Sequence, residues 1–339
     1  MLPPISEIGK YECRGLLGRG HFGDVYEAYD TVLQVPRAIK VIEAGNPHRL
    51  IQRFHEARLQ EICRHKHVVE VKDADVYEIN GRRLVVIATE LLPKGSVQDL
   101  LRSGFATLSE SIRIICEACF GLEHLHINDV LHCDVKPGNI LLTDNMTAKL
   151  SDFGLAVRIR VGEVPPNVYA LHMAPEMVSV HQATVLTDVY AMGVTFYRMI
   201  NHIMDLAAIA PPNVENLIQS GRFPSRNSYP AYVPKKIRRR ANKAMHVDPT
   251  KRYQSPSGLR RALERISVAI SWHPIGPSRW QGEQGTDRFL LFADSNRRGW
   301  YVEFMKNGRR KRARCKRGFS NNWEADAYIH QVVAETSLA

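Results

Sequence analysis

Cysteine is scarce in this chain. Six thiols in 339 residues are too few for a disulfide framework, so reduced side chains in a cytoplasmic protein are expected. Long apolar runs are missing too: no uncharged stretch approaches the ~20 residues that cross a bilayer as a helix. The opening "MLPPISEIGKYECRG" has neither the charged start nor the apolar core of a signal peptide. Neither a transmembrane segment nor export is therefore expected. Internal repeats and low-complexity tracts are absent. Acidic residues are in deficit, with 35 Asp and Glu against 46 Lys and Arg, a formal charge of +11. That excess favours acidic partners: nucleotides, nucleic acid or anionic lipid surfaces.

What is present is enough apolar material for a substantial core, 44% hydrophobic with four Trp, over a length that suggests two domains. Charge places the boundary. The first 230 residues or so mix both signs, whereas "KNGRRKRARCKR" (Lys306 to Arg317) is strongly basic. A second basic run, "PKKIRRRANK" from Pro234, is spaced like a solvated helix face. Between Ser271 and Gly285, "SWHPIGPSRWQGEQG" is rich in Pro, Gly and Ser, which breaks periodicity and reads as a linker. The expected organisation is a long unit over 9–267, a linker over 268–282 and a small basic unit over 283–339.

The long unit begins with strand patterns. "KYECRGLLGRGHFGDVYEAYD" alternates apolar and polar residues on both sides of a glycine cluster, and "PRAIKVIEA" and "RLVVIATEL" are β-branched runs of strand length. Between them Leu50, Phe54, Ala57, Leu59 and Ile62 recur at helical spacing. After Gly95 the pattern turns mainly helical. A small β-rich lobe followed by a larger α-rich one is predicted.

Several residues carry chemistry. Gly18, Gly20 and Gly23 form a GxGxxG, a pattern also used by dinucleotide folds, but here "DVYEAYD" reads as a second strand rather than a helix. Glycines at such a turn let backbone N–H groups approach phosphates, because no Cβ intervenes. Lys40 would add a cation for phosphate, and Glu56, on the predicted helix, could hold that lysine by ion pairing. Further on, "VLHCDVKPGNILL" sets Asp134, Lys136 and Asn139 between two apolar runs, and "KLSDFGLA" brings Asp152. Metal-bound triphosphate chemistry needs oxygen ligands for Mg²⁺, a carboxylate beside the accepting hydroxyl and a lysine on the migrating phosphoryl. Asn139 and Asp152 fit the first need, Asp134 the second and Lys136 the third.

Together these residues resemble a eukaryotic-type protein kinase domain. The resemblance runs from about Tyr11 to Ile266 through "GRGHFGDVY", "AIK", Glu56, "HKHVV", "ATELL", "HCDVKPGN", "DFG", "APE", "TDVYAMGVTFYRM" and "DPTKR". It implies an α+β, bilobal protein-kinase fold and a transferase that uses ATP and Mg²⁺ on protein substrates. Gly18, Gly20, Gly23, Val25, Ala38, Lys40, Thr89 and Glu90 would bind the nucleotide, and Asn139 and Asp152 the metal. Asp134 and Lys136 would act at the transferred group, with Lys40 and Glu56 as the ion pair. By similarity, Asp188 would brace the catalytic loop and Arg252 would pair with Glu176. Lys136, two residues after the acid, goes with serine and threonine substrates in this family. The alternative is an ATP-binding pseudokinase scaffold, against which the complete catalytic set argues.

Three departures matter. Cys133 stands where most relatives have an arginine, whose guanidinium pairs with a phosphorylated residue in the activation segment. The segment from Asp152 to Glu176 contains no Ser or Thr, so activity independent of phosphorylation there is expected. Tyr169 occupies the position where Ser/Thr members usually have Thr, and His172 one where an aromatic is common, which favours a packing role.

Cys116 and Cys119, with His124 and His126 nearby, spell a CxxC. They lie in an apolar helical stripe with Ile112, Ile115, Phe120 and Leu122, and no second knuckle accompanies them, so buried small residues are expected rather than a metal. In the basic unit, "DRFLLFADS", "GWYVEFMKNG" and "RRKRARCKRGF" read as three strands, with a turn at "KNGR" and a helix capped by Asn321 and Glu324. Three strands and a helix with a basic sheet weakly resemble the arm-type DNA-binding domains of phage-type integrases. That resemblance implies a nucleic acid or other acidic partner; the plainer reading is an accessory domain whose cations face water. On the last strand alternate side chains share a face, so Arg310, Arg312, Arg314 and Lys316 are expected to form one cationic row.

Overall fold

Alternation of side chains builds an antiparallel sheet from the first ninety residues. In the computed structural model, which describes residues 6–20, 23–43, 47–79, 81–165 and 168–339 and their side chains apart from 20 and 47–53, the strands are β1 (Glu7–Ile8), β2 (Tyr11–Gly20), β3 (Gly23–Asp30), β4 (Val35–Glu43), β5 (Val71–Ile79) and β6 (Arg82–Glu90). Their order is β1-β2-β3-β4-β6-β5. The strand β5 carries three acidic residues and little alternation, so its sequence gave no strand signal. One face buries Tyr26, Ala28, Ile39, Val41, Leu84 and Val86; Val85 and Ile87, with Ile42 and Ala57, form a cluster on the other. The helix α1 (Pro47–Ile62) joins β4 to β5. It turns Ala57 and Leu59 inward, but Ile62, expected in the stripe, is 47% exposed. Leu50 lies among the side chains outside the described residues.

The helical part comprises α2 (Val97–Ser103), α3 (Leu108–Ile127), α4 (Pro175–Ser179), α5 (Val185–Asn201), α6 (Val214–Gln219), α7 (Lys235–Ala244) and α8 (Pro256–Glu264). Short strands lie between α3 and α4: β7 (Val130–Leu131), β8 (Ile140–Leu142), β9 (Ala148–Leu150) and β10 (Val157–Arg158), which pair as β7-β10 and β8-β9. Capping boxes start α2 at Ser96, α3 at Thr107 and α5 at Thr184, each satisfying orphan N–H groups of the first turn. The helix α5 is buried along nearly its whole length, from Thr187 to Ile200, and so forms the axis of this lobe. Cys116 and Cys119 are buried on α3; burial pushes the Cys116 thiol up to about 12 and that of Cys119 well above its usual value. Among the described residues no group of three or more His, Cys, Asp and Glu side chains is placed to hold a metal ion. Phe120, placed in the same stripe by periodicity, is instead partly exposed, with Arg260 4.1 Å over its ring.

The C-terminal region differs from its sequence reading. The stretch expected as a linker, 268–282, supplies two strands, β11 (Ser271–Gly276) and β12 (Arg279–Gln284), which join β13 (Asp287–Asn296), β14 (Gly299–Lys306), β15 (Arg309–Arg310) and β16 (Lys316–Phe319) in one six-stranded sheet. Six strands and the helix α9 (Asn322–Thr336) therefore replace the expected three strands and a helix. Pro274 is accommodated because β11 is an edge strand, and Pro277 with Ser278, which has φ 50°, makes the two-residue turn to β12. The basic segment is not one strand: residues Arg312–Arg314 form a 3₁₀ turn between β15 and β16, so the single cationic row does not exist. The turn at Asn307 and Gly308, both with positive φ, is as expected for a hairpin. Asn321 caps α9 by accepting from Glu324 N–H, but the Glu324 carboxylate reaches back to Ser320 N–H rather than Asn321.

This sheet has its own core of Trp272, Trp280, Leu291, Val302, Phe304 and Ile329, and it packs on the helical lobe. Trp280 lies 5.7 Å from Phe105 and 5.1 Å from Tyr232, and Val268 bridges to Leu338. Among the described residues no helix is long and apolar enough to cross a membrane.

Candidate active site

The register of the first sheet determines which side chains face the helical lobe. Val25 pairs with Lys40, Lys40 with Ile87, and Ala38 with Thr89, and directly opposed residues share a face. Val25, Ala38, Lys40, Ile87 and Thr89 therefore line one surface, with Gly18 across from Val25 on β2. Ile87 was not singled out from sequence; stepping across the ladder from Lys40 would have found it. His21 and Phe22, in the glycine turn, lie outside the described residues. Gly20 pairs with Gly23 at the mouth of the hairpin. Gly23 has φ 149°, and a Cβ there would meet Val41 O at 2.5 Å, so the fold itself demands glycine. At Gly18 a Cβ would meet no atom of the described residues within 4 Å, so these leave that backbone open to approach. The Thr89 hydroxyl donates to Ala38 O and Glu90 O at 3.3 Å. The Glu90 carboxylate is turned to Lys149 at 2.6 Å and Glu70 N–H at 2.8 Å, and its own N–H donates to Glu70 O at 3.1 Å, so of its polar groups the carbonyl is the one left toward the edge of the surface.

Lys40 joins the two lobes. Its ammonium lies 2.6 Å from Glu56 Oε1 on α1 and 2.8 Å from Asp152 Oδ1, beyond β9. Burial works against the charge of Lys40, but Asp152 and Glu56 outweigh it and raise its pKa. Burial likewise opposes ionisation of Asp152, and the Lys40 charge and hydrogen bond overcome it, lowering its pKa. Both groups stay ionised across the neutral range. Asp152 also sits at φ 60°, a strained backbone for a residue other than glycine, held in part by Gly154 N–H at 3.3 Å.

The loop between β7 and β8 carries the second constellation. Lys136 Nζ and Asn139 Nδ2 both donate to Asp134 Oδ2, at 2.7 and 2.8 Å, and Asn139 Nδ2 also reaches Asp134 O at 2.8 Å. Burial raises the Asp134 pKa despite the opposing charge of Lys136. Asp188, at the start of α5, accepts from the N–H groups of His132 and Cys133, each at 2.9 Å, and so fixes the entry to the loop, where Cys133 adopts φ 62°. Cys133 is buried, and desolvation raises its thiol far above the usual range; it is a protonated filler. Arg252 makes a two-pronged pair with Glu176 at 2.5 and 2.7 Å, tying α4 to the end of the lobe.

The two constellations meet through Ser151 N–H, which donates to Asn139 O at 2.9 Å. With its amide nitrogen engaged on Asp134, Asn139 keeps its amide oxygen as an acceptor, and Asp152 keeps its second carboxylate oxygen. Two hard oxygens are what a protein offers Mg²⁺ when phosphates and water complete the octahedron, so the residues present fit that ion.

A protein kinase domain model matches residues 11–262. Similar curated proteins include the serine/threonine-protein kinase PknA of Mycobacterium tuberculosis, 30% identical over 246 residues, covering 63% of this chain and 57% of that protein. The serine/threonine-protein kinase drp72 of Corynebacterium efficiens is 28% identical over 273 residues, covering 76% and 51%, and PknA of Corynebacterium glutamicum is 29% identical over 282 residues, covering 79% and 58%. The chain thus spans between 51% and 58% of the length of these relatives. Because the matched domain takes up most of the chain, from 11 to 262, and contains both constellations, the chain belongs to the protein kinase family.

Proposed function

We propose that this chain is a protein serine/threonine kinase that transfers the γ-phosphoryl group of ATP to protein hydroxyls. The observation that supports the reading is that Lys40 bonds Glu56 and Asp152, that Asp134 bonds Lys136 and Asn139, and that Ser151 N–H, next to Asp152, joins the two groups at Asn139 O. Val25, Ala38, Thr89 and the backbone of Glu90 would hold the base, and the backbone from Gly18 to Gly23 the phosphates. Lys40 would neutralise phosphate charge while Glu56 fixes its ammonium. Asn139 and Asp152 would hold Mg²⁺, which when bound supplies charge for the leaving phosphates. Asp134 would accept the hydroxyl proton, and Lys136, anchored on the same carboxylate, would meet the charge of the migrating group. Transfer independent of phosphate in the activation segment is part of the proposal: Cys133 has no charge to offer a phosphate, and no Ser or Thr lies between Asp152 and Glu176.

The C-terminal unit is proposed as an accessory domain for an acidic partner such as duplex DNA, in a cytoplasmic protein. Arg309, Lys311, Arg312 and Arg317 are exposed and have no ion pair among the described residues, whereas Arg310 and Arg314 are paired with Glu303 and Glu335.

The catalytic proposal is tested by incubating the purified chain with γ-labelled ATP, Mg²⁺ and a generic protein substrate, then identifying the labelled amino acids. Label on Ser and Thr, abolished in Asp152→Ala, is expected. ATP binding with no transfer would favour the scaffold reading.

A further inference from the structure

Cys133 removes a cation from beside the catalytic loop, yet another cation stands close by. Arg198 on α5 is buried and makes no ion pair among the described residues. Its guanidinium is engaged with neutral acceptors: Nη2 donates to Gln98 Oε1 at 2.6 Å and to Met204 O at 2.7 Å, and Nε to Ile203 O at 3.3 Å. Nη1 faces His172 Nε2 at 3.5 Å. A guanidinium only donates, so Nε2 is the accepting nitrogen of the ring and Nδ1 carries the proton, which it donates to Val135 O at 3.0 Å. Val135 directly follows Asp134. Hydrogen bonds therefore run from the loop of the proposed base, through the end of the activation segment, to α5 and α2.

We infer that His172 and Arg198 form a permanent anchor that positions the catalytic loop through Val135, doing with neutral and cationic side chains what a phosphate-held arginine does elsewhere. The inference rests on the kinase reading above and explains how the loop is held without phosphate. An arginine–phosphate pair couples segment to loop reversibly, because the phosphate comes and goes. The imidazole bridge has no such off state. Burial, and then the charge of Arg198, push the His172 pKa down to about 3, so the ring stays neutral and its tautomer is fixed by its two partners. Both are positioning residues: they act on Asp134 through one backbone carbonyl.

The test uses the full chain, phosphatase-treated, with kcat and KM measured for ATP and for a protein substrate, alongside calorimetry. The variants are His172→Phe, Arg198→Met, their combination, and His172→Gln, whose amide can still donate to Val135 O and accept from Arg198. Each of the first two is expected to lower kcat about tenfold or more with KM for ATP nearly unchanged, and the pair to be no worse than about twofold below the poorer single variant. His172→Gln should regain most of the loss. If either of the first two fails to fold, Arg198→Lys, which keeps the charge but not the fork, should still show reduced kcat with unchanged KM. Native kcat in folded His172→Phe, additive losses in the pair, or native kcat in Arg198→Lys would each overturn the anchor. A native chain that transfers nothing would remove the kinase reading itself, and a native rate that collapses on dephosphorylation would remove the anchor's role as substitute.

Discussion

Asp134 is held under opposing demands. As the proposed base it has to be ionised to accept a proton, yet burial raises its pKa, so at neutral pH the folded protein bears a cost for keeping the charge. The sign follows from linkage: a carboxyl whose folded pKa exceeds its unfolded one favours folding only when protonated, below the unfolded value, and that contribution is lost as pH rises through the folded value. Asp134→Asn should therefore lower turnover by about two to four orders of magnitude while raising the unfolding midpoint at neutral pH, measured by calorimetry beside the transfer assay. The same shift predicts that the rate falls on the acid side at a pH above the usual aspartate value, which a kcat/KM profile would show; an acid limb below that value would contradict it. Asp152 behaves in the opposite sense, since its pKa is lowered and its stabilising contribution disappears only as pH falls through that lowered value. At this scale the two constellations were legible, because the residue types that phosphoryl transfer calls for stand close together in the chain, with Asp134, Lys136 and Asn139 within six positions. The anchor was not legible. His172 and Arg198 are 26 residues apart and Arg198 and Gln98 are 100 apart, and no local pattern announces a contact made by the packing of three separate elements.

At the scale of elements, periodicity recovered what alternates and missed what does not. The hairpin of β2 and β3, the helix α3 and the turn at Asn307 and Gly308 all carry local signals. The strands β11 and β12 were hidden by Pro274, Pro277 and the glycines, residues that report an edge strand and a tight turn as readily as a linker. Their real role is visible only in the packing: Trp272 and Trp280 are buried, and Gly282 lies so close beneath Trp272 that a Cβ would come within 2.7 Å of the ring. Trp280 also bears on Phe105 and Tyr232 of the helical lobe. Trp280→Ala should therefore destabilise by about 3–5 kcal/mol, read by denaturant unfolding. A loss under about 0.5 kcal/mol, the range of a surface change, would mean that the sheet contributes little to the fold.

For the whole molecule the surplus of positive charge is the main unassigned property. It is distributed over the exposed cations of α7 and the turn between β15 and β16, while Arg310 and Arg314 are neutralised locally. If Arg309, Lys311, Arg312 and Arg317 meet duplex DNA, each neutralised phosphate releases condensed counterions, and about four contacts give a log–log salt slope of roughly −3 to −4. The full chain is the right object for this titration, since the C-terminal sheet packs on the helical lobe. Changing those four residues to Gln should flatten the slope; binding indifferent to the change would point to a protein partner or to solvation alone. The proposed catalysis is tested most directly by the initial rate of γ-phosphoryl transfer by chain that has been treated with phosphatase and freed of it. Sustained transfer to Ser and Thr at close to the untreated rate is expected, with no phosphate found between Asp152 and Glu176. ATP bound at Lys40 without any transfer, or a rate that returns only when Tyr169 is phosphorylated, would contradict it.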